Sequence, residues 1–325
     1  MTKRILIVTL AFIALFNEEA QAQDPHFTQF YAAPLYLNPA MAGATGCPKV
    51  SLNYRRQFPN LSADFNTMSF SYDQHVDALH GGVGIMVMKD NAGRGTLGIT
   101  EVSGVYSYQL VLNRQYSLLA GFQGTYRQRS LDWSKLTFPD QIDAQYGFVK
   151  PTGEIMPGQD VTNQIDFSTG VILFSDDLYV GAALNHITEP DEAFLQTGTL
   201  PMKLTVHAGS VIEISKGKLI GQETSISPNI LYQKQQDFEQ LNFGVAANYK
   251  LLSGGFWWRQ NFNNPDALNL ILGMQLDAIK IGFSYDLTIS ELGTATGGAQ
   301  EISLSYRIPC SPRNKTFKTI NCPTF

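Results

Sequence analysis

From Cys47 onward, apolar and polar residues alternate with a period of two. Between Ala278 and Leu287, Ile279, Ile281, Phe283, Tyr285 and Leu287 share one face, while Lys280, Gly282, Ser284 and Asp286 share the other. The pattern returns from Glu301 to Ile308, where Ile302, Leu304, Tyr306 and Ile308 oppose Glu301, Ser303, Ser305 and Arg307. Leu241 to Lys250 does the same, setting Leu241, Phe243, Val245, Ala247 and Tyr249 against Asn242, Gly244, Ala246, Asn248 and Lys250. Successive side chains of a strand point to opposite faces, so each run predicts a strand with one apolar and one polar side. The spacing of three and four that marks an amphipathic helix is nearly absent. In order, the runs predict roughly fourteen strands, near 49–57, 65–74, 81–89, 97–112, 115–129, 163–175, 178–187, 201–214, 218–233, 238–250, 254–262, 266–276, 278–288 and 299–308.

The connections alternate in length. Tight turns follow the even-numbered strands, at Asn113-Arg114, Asp176-Asp177, Ser215 to Lys218, Ser253-Gly254 and Asp277, with Val76 to His80 somewhat longer. After the odd-numbered strands the links are mostly long, notably Ser130 to Thr162, Thr188 to Leu200 and Thr288 to Gly298. Short turns at one end and long loops at the other are the pattern of an outer-membrane barrel, with the short turns periplasmic. Lipid offers no partner for a free N–H or C=O, so a sheet that spans it must close and leave no edge. The predicted fold class is therefore all-β, a transmembrane antiparallel β-barrel with its apolar faces toward lipid and its polar faces toward the lumen. Tyr54, Phe58, Tyr72, Tyr126, Phe174, Tyr179, Tyr232, Phe238, Tyr249, Phe256 and Phe262 lie near strand ends, where interfacial girdles would need aromatics. A secreted soluble β-sandwich or propeller would also alternate. Against it, no blade-length repeat is visible, and few Lys or Arg fall on the apolar faces.

The amino terminus supports export. Lys3 and Arg4 precede an apolar run from Ile5 to Phe16, and Ala20 and Ala22 stand at A-x-A spacing before Gln23, the pattern of a cleaved secretory signal. Twelve apolar residues are too few for a spanning helix, which requires about 20. No Cys stands at the cleavage point to carry a lipid. The chain thus divides into a signal peptide (1–22), an N-terminal periplasmic or plug segment (23–47), the barrel (48–309) and a C-terminal periplasmic tail (310–325). An even strand number puts both termini on the periplasmic side. Of 325 residues, 44% are apolar and 16% charged, which excludes a disordered chain. Lys+Arg 23 against Asp+Glu 28, with no basic run, excludes a nucleic-acid partner.

Little in the sequence suggests catalysis. His26, His75, His80, His186 and His207 fit no metal spacing, no C-x-x-C pair exists, and no cofactor is expected. His207 with Ser210, or His186 with Asn185, would be at most fragments of a hydrolytic set, and lumen-facing polar residues are the commoner case. Gly81-Gly82-Val83-Gly84 opens a strand with no helix behind it, so it is no phosphate loop. The run from Asp132 to Gln164 reads equally as a solvated or a partner-binding loop. Cys47, Cys310 and Cys322 are the only thiols. Cys47 just precedes the first strand and Cys310 just follows the last, so a bridge between them would staple the barrel seam. A Cys310 to Cys322 loop is the competing pairing, and either leaves one thiol over.

The stretch from Gln23 to Gly43 is unlike a strand and unlike a linker. It carries Phe27, Phe30, Tyr31, Tyr36 and Leu37, with Pro25, Pro34 and Pro39 limiting helix formation. Gln23-Asp24-Pro25, Tyr31, Pro34, Asn38-Pro39 and Ala42-Gly43 resemble the N-terminal motif of the PorP/SprF family of type IX secretion membrane proteins. Weaker likeness extends through Asn53-Tyr54-Arg55, Gln57-Phe58-Pro59, Ser227-Pro228 and the closing Cys322-Pro323-Thr324-Phe325. The resemblance implies a non-enzymatic outer-membrane barrel that helps export or anchor cargo proteins bearing a C-terminal targeting domain, gliding adhesins among them. It implies lipid and the periplasmic ring of the secretion machine as further partners. It does not imply the main translocation pore. One feature departs from barrel biogenesis in general: the last strand usually ends in an aromatic residue, whereas Phe325 lies far beyond the last predicted strand.

Large apolar side chains left in water cost about 1.5–3 kcal/mol each, so the N-terminal segment needs cover. The expectation is that its aromatics pack into or beneath the lumen at the periplasmic end, with Asn38-Pro39 forming the turn toward Gly43. Cargo or a machine component would be the other cover. If the barrel were instead a small-solute porin or transporter, Lys280, Asp286, Glu301 and Arg307 would set its selectivity.

Overall fold

A strand that crosses lipid must hydrogen-bond on both edges, and here every crossing strand does. The computed structural model describes residues 24–61, 64–143, 145–155, 158–194, 198–215, 224–262, 264–289 and 296–310. Its sheet is a closed antiparallel barrel of 14 strands. These are β1 (Lys49–Gln57), β2 (Phe65–Val76), β3 (Gly81–Ala92), β4 (Leu97–Val111), β5 (Ser117–Leu131), β6 (Val161–Phe174) and β7 (Leu178–Asn185) in the first half. The second half comprises β8 (Lys203–Ser210, resumed after Val211 by Ile212–Ser215), β9 (Thr224–Gln235), β10 (Phe238–Tyr249), β11 (Leu252–Asn261), β12 (Asn264–Leu276), β13 (Ile279–Thr288) and β14 (Ala299–Arg307). Each pairs with its sequence neighbours, and β1 closes on β14 in a register running from Lys49 opposite Arg307 to Gln57 opposite Ala299. The strands predicted from alternation agree with these spans to within a few residues; of the one predicted at 218–233, residues 218–223 lie outside the described residues and the rest falls in β9.

Alternation has inverted the usual burial. On β1, Ser51, Asn53 and Arg55 are buried while Leu52 and Tyr54 are exposed. On β13, Ser284 and Asp286 are buried while Ile281 and Phe283 are exposed. Only a non-aqueous surround makes such an outer surface favourable. Exposed aromatics form two belts on it: Tyr106, Tyr108, Tyr116, Tyr249 and Tyr306 toward the short-turn end, and Tyr54, Phe65, Tyr126 and Phe262 toward the long-loop end. These are the levels at which amphipathic rings meet headgroups.

Two expected girdle residues belong elsewhere. Phe174 and Tyr179 are 1% and 2% exposed and face the lumen. With Leu119, Ile172, Leu231, Trp257 and Ile271, also buried, they give part of the inner wall an apolar lining. The wall is thus not uniformly polar: lipid fixes only the outward face, and inward positions take whatever fills the interior.

Cys47 and Cys310 form a disulfide across the β1–β14 seam, with α-carbons 5.6 Å apart, inside the range a bridge requires. Cys322 lies outside the described residues. Digestion of unreduced protein should yield a cross-linked Cys47–Cys310 peptide. C47S should lower the temperature at which the folded band is lost in gel electrophoresis, since such bridges are typically worth about 2–4 kcal/mol. Recovery of a Cys310–Cys322 peptide alone would contradict the seam pairing.

Candidate functional site

A fourteen-stranded barrel is too wide for its own side chains to fill. Residues 24–44 occupy the interior. The segment starts at Asp24, level with the first residue of β8 and the last of β9, and descends to Gly43 beside Gly82 at the foot of β3. It therefore runs the length of the lumen and is not confined to the short-turn end. Phe30–Ala32, Pro34–Leu37 and Pro39–Met41 form three short helical turns. Proline opens the second and third turns, where its missing N–H has no helical partner to lose.

The aromatics named from sequence are buried here. Phe27 meets Tyr36 edge-on at 5.5 Å between ring centroids, and Phe30 meets Trp257 edge-on at 5.2 Å. Tyr31 lies edge-on to Tyr179 at 5.8 Å, with the two hydroxyls 2.6 Å apart. The Tyr36 hydroxyl donates to the Pro25 carbonyl, and Lys203 Nζ stands 4.9 Å from the Tyr36 ring centroid. Asn38 is fully buried and acts as a three-way tie. Its Oδ1 caps the following turn by accepting from Ala40 N at 2.9 Å. Its Nδ2 donates to the carbonyls of Val171 at 3.3 Å and Ala182 at 3.1 Å and lies 3.2 Å from His207 Nε2. Pro39 directs the chain on to the wall at Gly121 and Gly170. A β-carbon on Gly121 would fall 2.3 Å from Ala40 N, and one on Gly170 would fall 2.0 Å from Asn38 Oδ1. The wall accepts the backbone only because these positions carry no side chain.

Two charged clusters near the long-loop end hold the start of the segment, and sequence reasoning did not assemble either. In the first, Glu301 accepts from the backbone N–H groups of Thr28 at 2.7 Å and Gln29 at 3.1 Å. Asp286 accepts from the Thr28 hydroxyl at 2.7 Å and from Arg55 and Arg259 at 2.9 and 2.8 Å. The second gathers Asp24, His186, Asp166, Lys203, Arg127, Glu101 and Glu192. His186 Nε2 lies 2.6 Å from Asp24 and its Nδ1 2.7 Å from Asp166, so both ring nitrogens donate and the ring is imidazolium. Burial alone would depress His186, but the Asp24 charge and its bonds to Asp166 and Asp24 lift it to about 9. Burial would likewise raise Asp24, yet His186, Lys203 and Arg127 hold its carboxyl well below the usual range. One signal for these clusters was available: Arg55, Arg127, Asp286 and Glu301 stand at inward positions of their strands, and a wall carrying both signs of charge needs partners.

The histidines weighed as catalytic fragments are engaged in holding the segment. His207 binds Asn38, and Ser210 falls on the other face of the same strand by parity. His186 bonds two carboxylates. Among the described residues no cluster of His, Cys, Asp and Glu suits a metal ion. The expectation that both chain ends lie on one side also fails for the described ends. Asp24 sits at the long-loop end and Cys310 at the short-turn end, because the segment crosses the lumen once before β1 begins.

Residues 19–306 match the family described as type IX secretion system membrane protein PorP/SprF. The chain belongs to the PorP/SprF family. No curated protein matches it. Among solved structures, the Ralstonia pickettii toluene transporter TbuX is similar at 12% identity and a TM-score of 0.50, over 86% of this chain and 94% of that one. The Acinetobacter baumannii outer membrane protein Omp33 is similar at 10% identity and a TM-score of 0.45, over 82% of this chain and all of that one. At these identities the likeness to TbuX concerns the fold alone. This PorP/SprF chain is thus an outer-membrane barrel of the type IX secretion system, and family and fold both point away from enzymatic activity.

Valine at Gly121 or Gly170 should unseat the segment from the wall while leaving the lipid face intact. Residues 24–44 should become sensitive to added protease, and the barrel should keep its heat-modifiable band. N38A should act in the same direction but more weakly, by about 1–3 kcal/mol for the buried groups it leaves unpaired. Unchanged protease resistance in all three variants would contradict the seating described.

His186 also gives the segment a pH dependence. Its folded pKa lies above the unfolded value, so its contribution is complete below about 6.5 and is lost as pH rises through about 9. Protection of residues 24–44 from hydrogen exchange, corrected for intrinsic rates, should fall as pH rises from about 6.5 through about 9. H186Q should remove most of the slope, and an unaltered slope would assign it to another group.

Proposed function

We propose that this PorP/SprF protein is a helper or surface anchor for a subset of exported proteins and that its working surfaces are its loops and turns, not its bore. The observation that carries this reading is the lumen-filling segment. A barrel whose interior holds its own chain, tied by Asn38, Thr28 and Asp24 to strands all round the ring, offers no wide aqueous path. Beside that segment a cavity lined by Tyr36, Glu101, Gln123, Asp166 and Lys203 has room for about one water. In this reading the signal peptide 1–22 is removed, the short turns face the periplasmic ring of the machine, and the long loops face outward to cargo bearing a C-terminal targeting domain, gliding adhesins among them.

The small-solute channel is the second reading, and two of the charges that would set its selectivity, Asp286 and Glu301, argue against it. Asp286 and Glu301 are taken up by Thr28, Gln29, Arg55 and Arg259, Lys280 is half-buried at the short-turn start of β13, and Arg307 is exposed at the short-turn end. Purified protein in planar bilayers should pass little steady current, and deleting residues 24–42 behind an intact signal peptide should raise it to porin-like steps. Mild detergent extraction should retain an exported protein or a periplasmic machine component with the intact chain, and the deletion should impair export. Porin-like current from the intact chain with no retained partner would favour the channel.

A further inference from the structure

The described chain begins at one mouth of the barrel and ends at the other. The Asp24 backbone N–H donates to the Gln235 side chain at 3.2 Å, and its carboxylate faces His186 and Lys203. Gln235, His186 and Lys203 mark the ends of β9 and β7 and the start of β8 on the long-loop side. The seam disulfide fixes Cys310 at the opposite side. From Asp24 the lumen leads in two directions. The route to the short-turn end runs along β9, whose twelve residues at about 3.3 Å each span roughly 35–40 Å. That route is filled: Phe27, Phe30, Leu35 and Ala40 along it are between 7% and 0% exposed. The other direction leads to the long-loop mouth.

We propose that the processed amino terminus of this protein emerges at the long-loop mouth and is displayed on the cell exterior, opposite the side on which Cys310 lies. This rests on the reading that the short turns are periplasmic. The start of the segment is held by charge: Asp24 anchors to His186, Lys203 and Arg127, and Thr28 to Asp286. An extension before Asp24 therefore adds chain above the clasp without entering it.

The test places one epitope at three positions in the full chain: between Gln23 and Asp24, in the long loop after Gly153, and in the short turn at Asn113-Arg114. Intact and permeabilised cells are then probed with the same antibody. The expected result is labelling of intact cells by the first and second insertions to within about twofold of each other, with the third at background until permeabilisation. Labelling of the loop but not of the Gln23 insertion in intact cells would overturn the proposal. Labelling of the short turn in intact cells, with the loop silent, would overturn the orientation reading itself. Where the first insertion blocks folding, Q23S adds no bulk and leaves an amine that does not cyclise as glutamine's does. Its N-terminal peptide should take up a membrane-impermeant amine reagent on intact cells, and absence of that mass with a labelled loop would again overturn the proposal.

Discussion

A ring of fourteen strands satisfies every backbone hydrogen bond that lipid would leave unpaired, and in doing so encloses more space than its own side chains fill. Closure and filling are therefore coupled problems. The outer face is fixed by hydrocarbon, which accounts for the regular exposure of Leu52, Phe70, Val102, Phe283 and Leu304. The inner face is under no such rule. It must be matched to whatever lies inside, and here that is residues 24–44 of the same chain.

The match uses three kinds of contact at successive depths. Near the long-loop mouth it is ionic, with Asp24 among His186, Lys203 and Arg127, and the Thr28 hydroxyl between Asp286 and Arg55. At mid-depth it is apolar and aromatic, with Phe30 on Trp257 and Tyr31 on Tyr179. Lower down it is backbone against backbone, where Gly121 and Gly82 let Ala40 and Ala42 approach the wall. Removing one member of a buried ion pair costs about 3–5 kcal/mol, whereas well-packed apolar replacements of a whole pair are often neutral. The ionic layer thus contributes less to affinity than to direction. It fixes which end of the segment lies at which mouth, because a reversed segment would bring Asp24 to the glycine-lined foot of the barrel, where Asp73 already accepts from Gly43 N.

How much of this was legible follows from the same division. Strand positions were legible because lipid imposes strict alternation on one face, and β1, β13 and β14 keep it almost without exception. Phe174 and Tyr179 lie beside a turn yet face the lumen, because proximity to a turn does not decide which face a side chain takes. Val171-Ile172-Leu173-Phe174 carried the better signal, since a strand apolar on both faces has something apolar on its inner side. The apolar character of Phe27, Phe30 and Tyr31 marked a segment in need of cover. Its partners were not legible, because Thr28 and Asp286 stand 258 residues apart and Asp24 and His186 stand 162 apart, with no local pattern linking them.

The path of the segment also constrains how the barrel is assembled. The two strands that must meet last in sequence, β1 and β14, bear Arg55 and Glu301, and these bind Thr28 and Gln29. A segment already seated presents Thr28 and Gln29 to both edges at once, and so carries the seam's inner face before the edges pair. A segment arriving after closure would have to drive Asp24 through a lumen lined by Leu119, Ile172 and Trp257, shedding the solvation of a carboxylate without a partner until it reached His186. The order in which filling comes with closure, and not after it, is the one that avoids burying that charge unpaired.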